Sequence, residues 1–571
     1  MGRLSKYIKP YVWYMILTMV IKFAATICEL QIPDLMEIMV DEKVPAGQKG
    51  QIYLYGVYMV LFALLALVGN IVANRMTAKS AGGITRRIRH DLFVKLENLS
   101  AHQMDQLTVS SAESRLTSDT YNVNQLLTRL QRMGVRAPIL LIGGMFMMMR
   151  MDMVLSLVLL SLLPIIVLVV YLVTRYSVPL YSQQQTALDK VVRVLQENIT
   201  GIRVIKALSK TDYEKERFNG VNTDLSEIGQ RAATVSSVTN PVVSLTLRLG
   251  LTLVVVVGAY RVNAGAFDGG VILAFLTYFT MILNAMLGIT RIFVMWSKGQ
   301  ASANRVADVM ALDPEQPVLP VTEPVRENAP HIVFDGVTFS YTGVGTNLED
   351  LSFQLQRGQT LGILGATGAG KSTLINLLLR LYDPDKGHIY IDGRDIRTYD
   401  YPELRSKFGV VFQNDFVAEG TILDNIRFFR DVTPEMAQQA ADAAQAGFIA
   451  QKGMDGEVAV RGNNLSGGQK QRLLIARALA ANPEILILDD ASSALDYQTD
   501  SQLRQALHKQ YADTTTVVVA QRISSLMHAD LILVLHDGQV IGSGDHQHLM
   551  ETCEEYRMIA QTQMGDGKEA L

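Results

Sequence analysis

The sequence predicts two unlike parts, a membrane-embedded α-helical region of six spans and a soluble α/β domain after it. Three observations carry this. Long apolar stretches are confined to the first half, a run of prolines interrupts the chain past its middle, and short apolar strands with glycine punctuation follow that run. With 49% of the 571 residues hydrophobic, there is enough apolar material for both a membrane half and a buried sheet.

The apolar stretches lie at about 11–31, 52–74, 137–150, 153–175, 243–262 and 270–296. Most approach the roughly 20 residues that a bilayer core demands. Arg75, Lys79, Arg86, Arg87, Arg89, Lys95, Arg115, Arg129, Arg132 and Arg136 crowd one connection, and Lys190, Arg193, Arg203, Lys206, Lys210, Lys215 and Arg217 crowd another. Basic residues stay on the cytoplasmic side, so these two connections and both termini are expected there. Outer connections are short, as at 47–50, 150–152 and 263–270. The inner ones, such as ITRRIRHDLFVKLENL, keep apolar residues three and four apart among many charges, so the spans are expected to continue as long cytoplasmic helical extensions. Two cysteines, Cys28 and Cys553, offer no metal cluster, and a net charge of −3 argues against a nucleic-acid partner.

Residues 1–310 thus form the membrane part. From 311 to 330 the chain reads ALDPEQPVLPVTEPVRENAP, where prolines oppose both helix and ladder pairing, and this is expected to be a linker. Residues 331–571 open with HIVFDGVTFSY and QTLGILG, strand-like segments, before KSTLINLLLRLY takes a helical period.

Between that strand and that helix stands GATGAGKST, residues 365–373, which fits the spacing of a P-loop NTPase. Gly365, Ala366, Thr367, Gly368, Ala369 and Gly370 would wrap phosphates with backbone N–H groups. Lys371 would meet the β and γ oxygens of ATP, and Ser372, beside Thr373, would bind Mg²⁺. Asp489, ending the apolar run EILILD, would supply the magnesium carboxylate. A second anion-binding helix N-terminus follows NNLSGGQ, and a single γ-phosphate needs only one, so this one is expected to serve a nucleotide on another subunit.

Together, LSGGQ at 465–469, the phosphate loop and DDASSALD resemble the nucleotide-binding domain of ATP-binding cassette (ABC) transporters. Six spans before one such domain resemble a half-size ABC exporter of the type IV fold, over essentially the whole chain. The resemblance implies that Tyr341 stacks on adenine, that Gln413 approaches Mg²⁺, and that Leu465, Ser466, Gly467, Gly468 and Gln469 close over the partner's ATP. It implies that Asp496 crosses the dimer interface, that Glu457 lies in a loop touching the intracellular helices, and that coupling contacts lie near 110–119 and 207–218.

Two positions depart from the family pattern. Members that hydrolyse ATP carry Glu after the magnesium aspartate, where this chain has Asp490, a carboxylate retracted by roughly 1.5 Å when about 1 Å can cost on the order of 100-fold. Gln521 stands at the switch histidine and cannot become cationic. Every group that binds ATP is intact, and both groups that act on water or the γ-phosphate are altered. The chain therefore resembles the degenerate-site subunit of a heterodimeric multidrug-type exporter, whose non-identical partner half-transporter carries the catalytic Glu and switch His. An amphipathic small molecule is the expected cargo, with a lipid or peptide exporter, or a nucleotide-gated pore, as alternatives. Arg248 in the fifth span and Tyr278, Met281 and Asn284 in the sixth are the expected cavity residues.

Overall fold

A computed structural model describes residues 2–265, 268–313, 316–321, 329–413, 416–491 and 495–564, with only the backbone described at 14 helical positions between 163 and 294. Its contacts divide the chain into two units.

The first unit comprises the chain up to Val94 and Ser111–Ala311, and it is helical throughout. Five helices among the described residues are long and apolar enough to cross a membrane: Gly2–Lys43, Lys49–Glu97, Val109–Met151, Ser244–Asn263 and Gly269–Met286. The remaining expected span opens the helix Met153–Ala207, whose described apolar start is Met153–Leu162. At 1.5 Å per residue, the 49 residues of Lys49–Glu97 extend about 73 Å, against a hydrocarbon layer of roughly 30 Å. The expected extensions are therefore continuous with the spans. Large apolar side chains stay exposed along this helix, among them Val57, Leu61, Leu64, Val68 and Ile71, as a lipid-facing surface requires.

The core of this unit gathers Leu30, Leu140, Met148, Leu155, Val254, Phe275, Tyr278 and Phe279 from five helices. Small residues let backbones approach. A Cβ at Gly250 would meet Leu162 at 2.7 Å and Phe279 at 2.9 Å, and one at Gly299 would meet Leu126 at 2.6 Å.

The second unit comprises Lys95–Ser110 and Leu312–Leu571. Lys95–Ser110, well ahead of the expected division at 310, group with it. The short helix Ala101–Leu107 belongs with the α/β fold, started by a capping box between Ser100 and Gln103. Ala101 packs on its core, Gln103 donates to the Asp313 carbonyl at 3.1 Å, and Asp105 accepts a hydrogen bond from Tyr382. Residues 111–119 lie instead in the helical unit, where buried Asp119 accepts from Arg305. The segment 207–218 also stays there.

The expected linker carries no helix or strand among its described residues. Its described residues lie on the α/β fold: Leu319 N–H donates to the Arg397 carbonyl at 2.8 Å, and Arg380 donates to the Pro317 carbonyl at 2.9 Å. Residues 314–315 and 322–328 fall outside the described set.

Among the described residues this unit has two larger sheets and a two-stranded antiparallel pairing of β7 (Gly420–Thr421) with β8 (Glu457–Val458). Strands β1 (Ile332–Phe339), β2 (Leu348–Leu355), β4 (Lys386–Ile391) and β5 (Arg394–Asp395) form an antiparallel sheet in the order β2-β1-β4-β5. The larger sheet runs β12-β11-β3-β10-β9-β6, from Gln539–Gly544, Leu531–His536, Thr360–Gly365, Thr515–Val519, Ile485–Asp489 and Phe408–Val411. All its pairings are parallel except β11 with β12. Its central strands are buried on both faces, which explains unbroken runs such as ILILD rather than alternation.

Candidate nucleotide site

The site forms at the carboxyl ends of β3, β9 and β10, where a parallel sheet opens a crevice. Register decides which residues meet. Val519 of β10 pairs with Asp489 of β9 and with Ile363 of β3, so the segment after β10 emerges beside the end of β9 and the loop after β3. A cavity of about 240 Å³ results, lined by Asn347, Thr367, Gly368, Gly370, Lys371, Ser372, Thr373, Gln413, Asp489, Asp490, Val519, Ala520 and Gln521.

The loop takes its shape from two glycines in left-handed backbone, Gly368 at φ 88° and Gly370 at φ 101°. A Cβ at Gly370 would sit 2.8 Å from the Asn347 carbonyl, whereas one at Gly368 would meet nothing within 4 Å. Gly370 thus packs the loop down, and Gly368 leaves its space free. The helix Lys371–Leu378 begins immediately afterwards, its first N–H groups facing the loop. Lys371 Nζ folds back onto the Gly365 carbonyl at 2.8 Å and the Ala366 carbonyl at 2.7 Å. Burial holds this lysine below its usual range, opposed by the carboxylates of Asp489 and Asp490.

Asp489 is itself pushed up by burial and by its neighbour Asp490, opposed by Lys371 and by a hydrogen bond from Ser372. Two adjacent carboxylates, a hydroxyl and the Gln413 amide offer oxygen donors that suit Mg²⁺, and a divalent cation there would relieve the repulsion between the aspartates. The residues fit MgATP: backbone N–H groups and Lys371 for phosphates, Ser372 and Asp489 for the ion. Asp490 sits at φ 53°, its N–H donating to the Val519 carbonyl at 2.9 Å, and Gln413 Nε2 reaches its Oδ2 only at 3.5 Å.

Not all expected residues meet here. Tyr341 lies outside the cavity lining, set edge-on against Phe339 and Tyr382 at centroid distances of 4.9 and 5.0 Å, with Asn376 donating to its hydroxyl at 3.0 Å. Leu465–Gln469 are also absent from this lining. Ser466 caps the helix Gly467–Leu479 reciprocally with Gln469, and Leu465 packs on the core. Asp496 caps the helix Tyr497–Gln510, accepting from Thr499 N–H at 2.9 Å and Thr499 Oγ1 at 2.8 Å, bonds that hold its carboxyl low. Ser492–Ala494, in the small-residue turn before it, lie outside the described residues.

In the helical unit the expected cavity set separates. Arg248 and Asn284 are exposed and Met281 is half-buried. Tyr278 is fully buried, its hydroxyl donating to the Leu30 carbonyl at 2.7 Å, so it is a packing residue whose polar tip needs that partner.

Sequence reading missed three supports. Asn347 lines the cavity and accepts from Tyr341 N–H at 3.0 Å; Tyr382 joins Tyr341 to Asp105. Gln563 clamps the segment after β10, donating to the Gln521 carbonyl and accepting from Ile523 N–H, each at 2.8 Å. Only Asn347 had a local signal, as a turn asparagine between two strands.

The family described as the ABC transporter transmembrane region matches residues 15–286, and the family described as ABC transporter matches residues 348–493. An uncharacterised ABC transporter ATP-binding protein of Mycobacterium tuberculosis is 32% identical over 98% of this chain and 97% of its own length. The uncharacterised ABC transporter ATP-binding protein YfiB of Bacillus subtilis is 31% identical over the full length of both chains. The solved structure of a bacterial Atm1-family ABC exporter with ATP bound superimposes with a TM-score of 0.80, covering 98% of this chain and 99% of that one at 24% identity.

Proposed function

Because this chain belongs to the ABC transporters and joins a transmembrane and a nucleotide-binding domain in one polypeptide, we propose that it is the degenerate-site half of a heterodimeric exporter of amphipathic small molecules in the plasma membrane. One observation carries the reading. Asp490 and Gln521 line the same cavity as an intact phosphate loop and the magnesium donors Ser372 and Asp489. ATP and Mg²⁺ bind there, and water is activated poorly, because a retracted carboxylate cannot meet the attacking oxygen at hydrogen-bond distance without moving its backbone.

In this reading Leu465–Gln469 serve the partner's nucleotide, and the partner supplies the Glu and His that this chain lacks. Asp496 lies at the interface between the two nucleotide domains while capping its helix. Tyr341 turns to stack on adenine. Binding of two nucleotides closes the domains, and turnover at the partner's site resets the membrane half. Arg248, Met281 and Asn284 remain candidates for the cargo path. Both termini and the nucleotide domain face the cytoplasm, on the side of the basic connections.

The test is ATP hydrolysis by the copurified assembly, compared among wild type, Asp490→Glu with Gln521→His, and a Glu→Gln change at the partner's catalytic position. The reading expects the partner change to abolish turnover and the double change here to restore a second working site. Brisk hydrolysis by this chain alone as a homodimer would overturn it.

A further inference from the structure

Charged side chains meet between helices of the helical unit, and Arg136, placed by sequence in the first basic connection, reaches Glu29 of the first span. Lys22 and Glu29 stand two turns apart on Val12–Ile38, Asn70 on Lys49–Glu97, and Arg136 on Thr120–Met151. The Lys22 ammonium donates to Asn70 Oδ1, and Asn70 Nδ2 donates to Glu29 Oε1 at 2.8 Å. Arg136 takes the other carboxylate oxygen, with Nη2 at 2.9 Å and Nε at 3.2 Å from Glu29 Oε2. Arg132, one turn before Arg136, is near enough to act electrostatically on Lys22, and its Nε is buried with no hydrogen-bond partner.

The charges do not balance. Lys22 and Arg136 lie about Glu29, with Arg132 near enough to act on Lys22, so among these described residues three cations meet one carboxylate and two positive charges are left over. A clasp that only joined helices would need one cation for one carboxylate, and each surplus cation held between helices is costly unless an anion meets it. The cluster is closed at one end and open at the other, for Lys22 is 5% exposed while the Arg136 side chain is 37% exposed. Asn74, one turn along from Asn70, keeps a buried Oδ1 without a partner, a further polar group able to meet a head group or, with its amide turned, to donate to it.

We infer that Lys22, Asn70, Arg132 and Arg136 form an anion-binding site that takes the acidic head group, carboxylate or phosphate, of an amphiphile lying between the spans. Glu29 holds the arginine and the asparagine in place and repels the ligand. This rests on the exporter reading and narrows its cargo class to acids. The same head-group chemistry is offered by an anionic bilayer lipid and by a free amphiphilic acid.

The full assembly in nanodiscs of phosphatidylcholine tests it, with oleate as the acidic probe and oleyl alcohol as its uncharged counterpart, reading equilibrium binding and stimulation of ATP hydrolysis. Oleate is expected to bind at least tenfold more tightly than the alcohol. Lys22→Met and Arg132→Met should each weaken oleate about tenfold, Arg132→Lys should retain most of the affinity, and Glu29→Gln should tighten it. Phosphatidylglycerol in the discs separates the sources. Displacement of oleate together with a change in ATP turnover assigns the site to bilayer lipid, and undiminished oleate binding assigns it to a free acid. Equal binding of acid and alcohol, or unchanged oleate affinity in Lys22→Met and Arg132→Met proteins that still bind ATP, would sink the proposal while leaving the exporter reading standing. Failure of the wild-type assembly to bind ATP would instead remove the exporter reading itself.

Discussion

Arg380 is wholly buried, although guanidinium groups almost never are without partners. It donates to Asp383 Oδ1 at 3.1 Å and to the Pro317 carbonyl at 2.9 Å, and lies 4.8 Å from the centre of the Tyr401 ring. Arg380→Met is expected to cost about 3 kcal/mol, read by thermal unfolding, because it strands three acceptors, Asp383 and the carbonyls of Pro317 and Tyr399; Arg380→Lys should rescue little, lacking the planar fork. No sequence pattern announced this residue, since Pro317, which it ties down, reads as part of a free linker. The phosphate loop was fully legible, because the requirement for wrapped N–H groups followed by a cation is met within nine consecutive residues. Lys371→Ala should weaken ATP binding by about 100-fold or more, measured with a fluorescent nucleotide, since the triphosphate loses its charge-assisted partner.

Among elements, the helix Ala101–Leu107 was not legible as part of the α/β fold. AHQMDQL has no apolar stripe strong enough to mark its packing on that core. The available signal was Ser100 with Gln103, the start signature of a separate short helix. The contact itself was beyond reach, because Tyr382 and Asp105 lie 277 positions apart. Tyr382 also packs edge-on against Tyr341, so one ring touches both the adenine candidate and this helix. Tyr382→Phe removes one partly buried hydrogen bond while keeping the ring. It should leave ATP affinity unchanged and lower cargo-stimulated hydrolysis about fivefold, a split visible by measuring both on the same preparation.

At the scale of the whole molecule, the helical half was legible from hydropathy, because lipid imposes one requirement on every span. The α/β half carries a different constraint, a partly exposed ionic knot around a buried histidine. His331 is buried, its Nδ1 2.6 Å from Thr515 Oγ1, while Arg357 and Lys407 each bridge Asp392 and Glu484. Burial holds His331 below its ordinary 6.5, outweighing the pull of Asp392, whereas Asp392 and Glu484 are held below the usual carboxylate range by Lys407 and Arg357 despite burial. Above 6.5 the histidine is neutral in both folded and unfolded chains and adds no pH dependence. As pH falls below 6.5 the unfolded chain takes up the proton first, so stability declines there, and the two carboxylates add a further loss below about 4. His331→Gln should flatten the decline that begins below pH 6.5 in urea unfolding and leave the carboxylate limb below about 4 in place.

The grouping of Lys95–Ser110 with the α/β fold bears on how this protein could be recombined with its relatives. A chimera joined only at residue 311 would exchange the sheets but keep the recipient's version of the helix that Tyr382 grips and whose Ala101 packs on the α/β core. The transplantable module is discontinuous, sixteen residues from one place in the gene and the last 260 from another. Hybrids carrying both pieces should assemble where single-junction hybrids misfit.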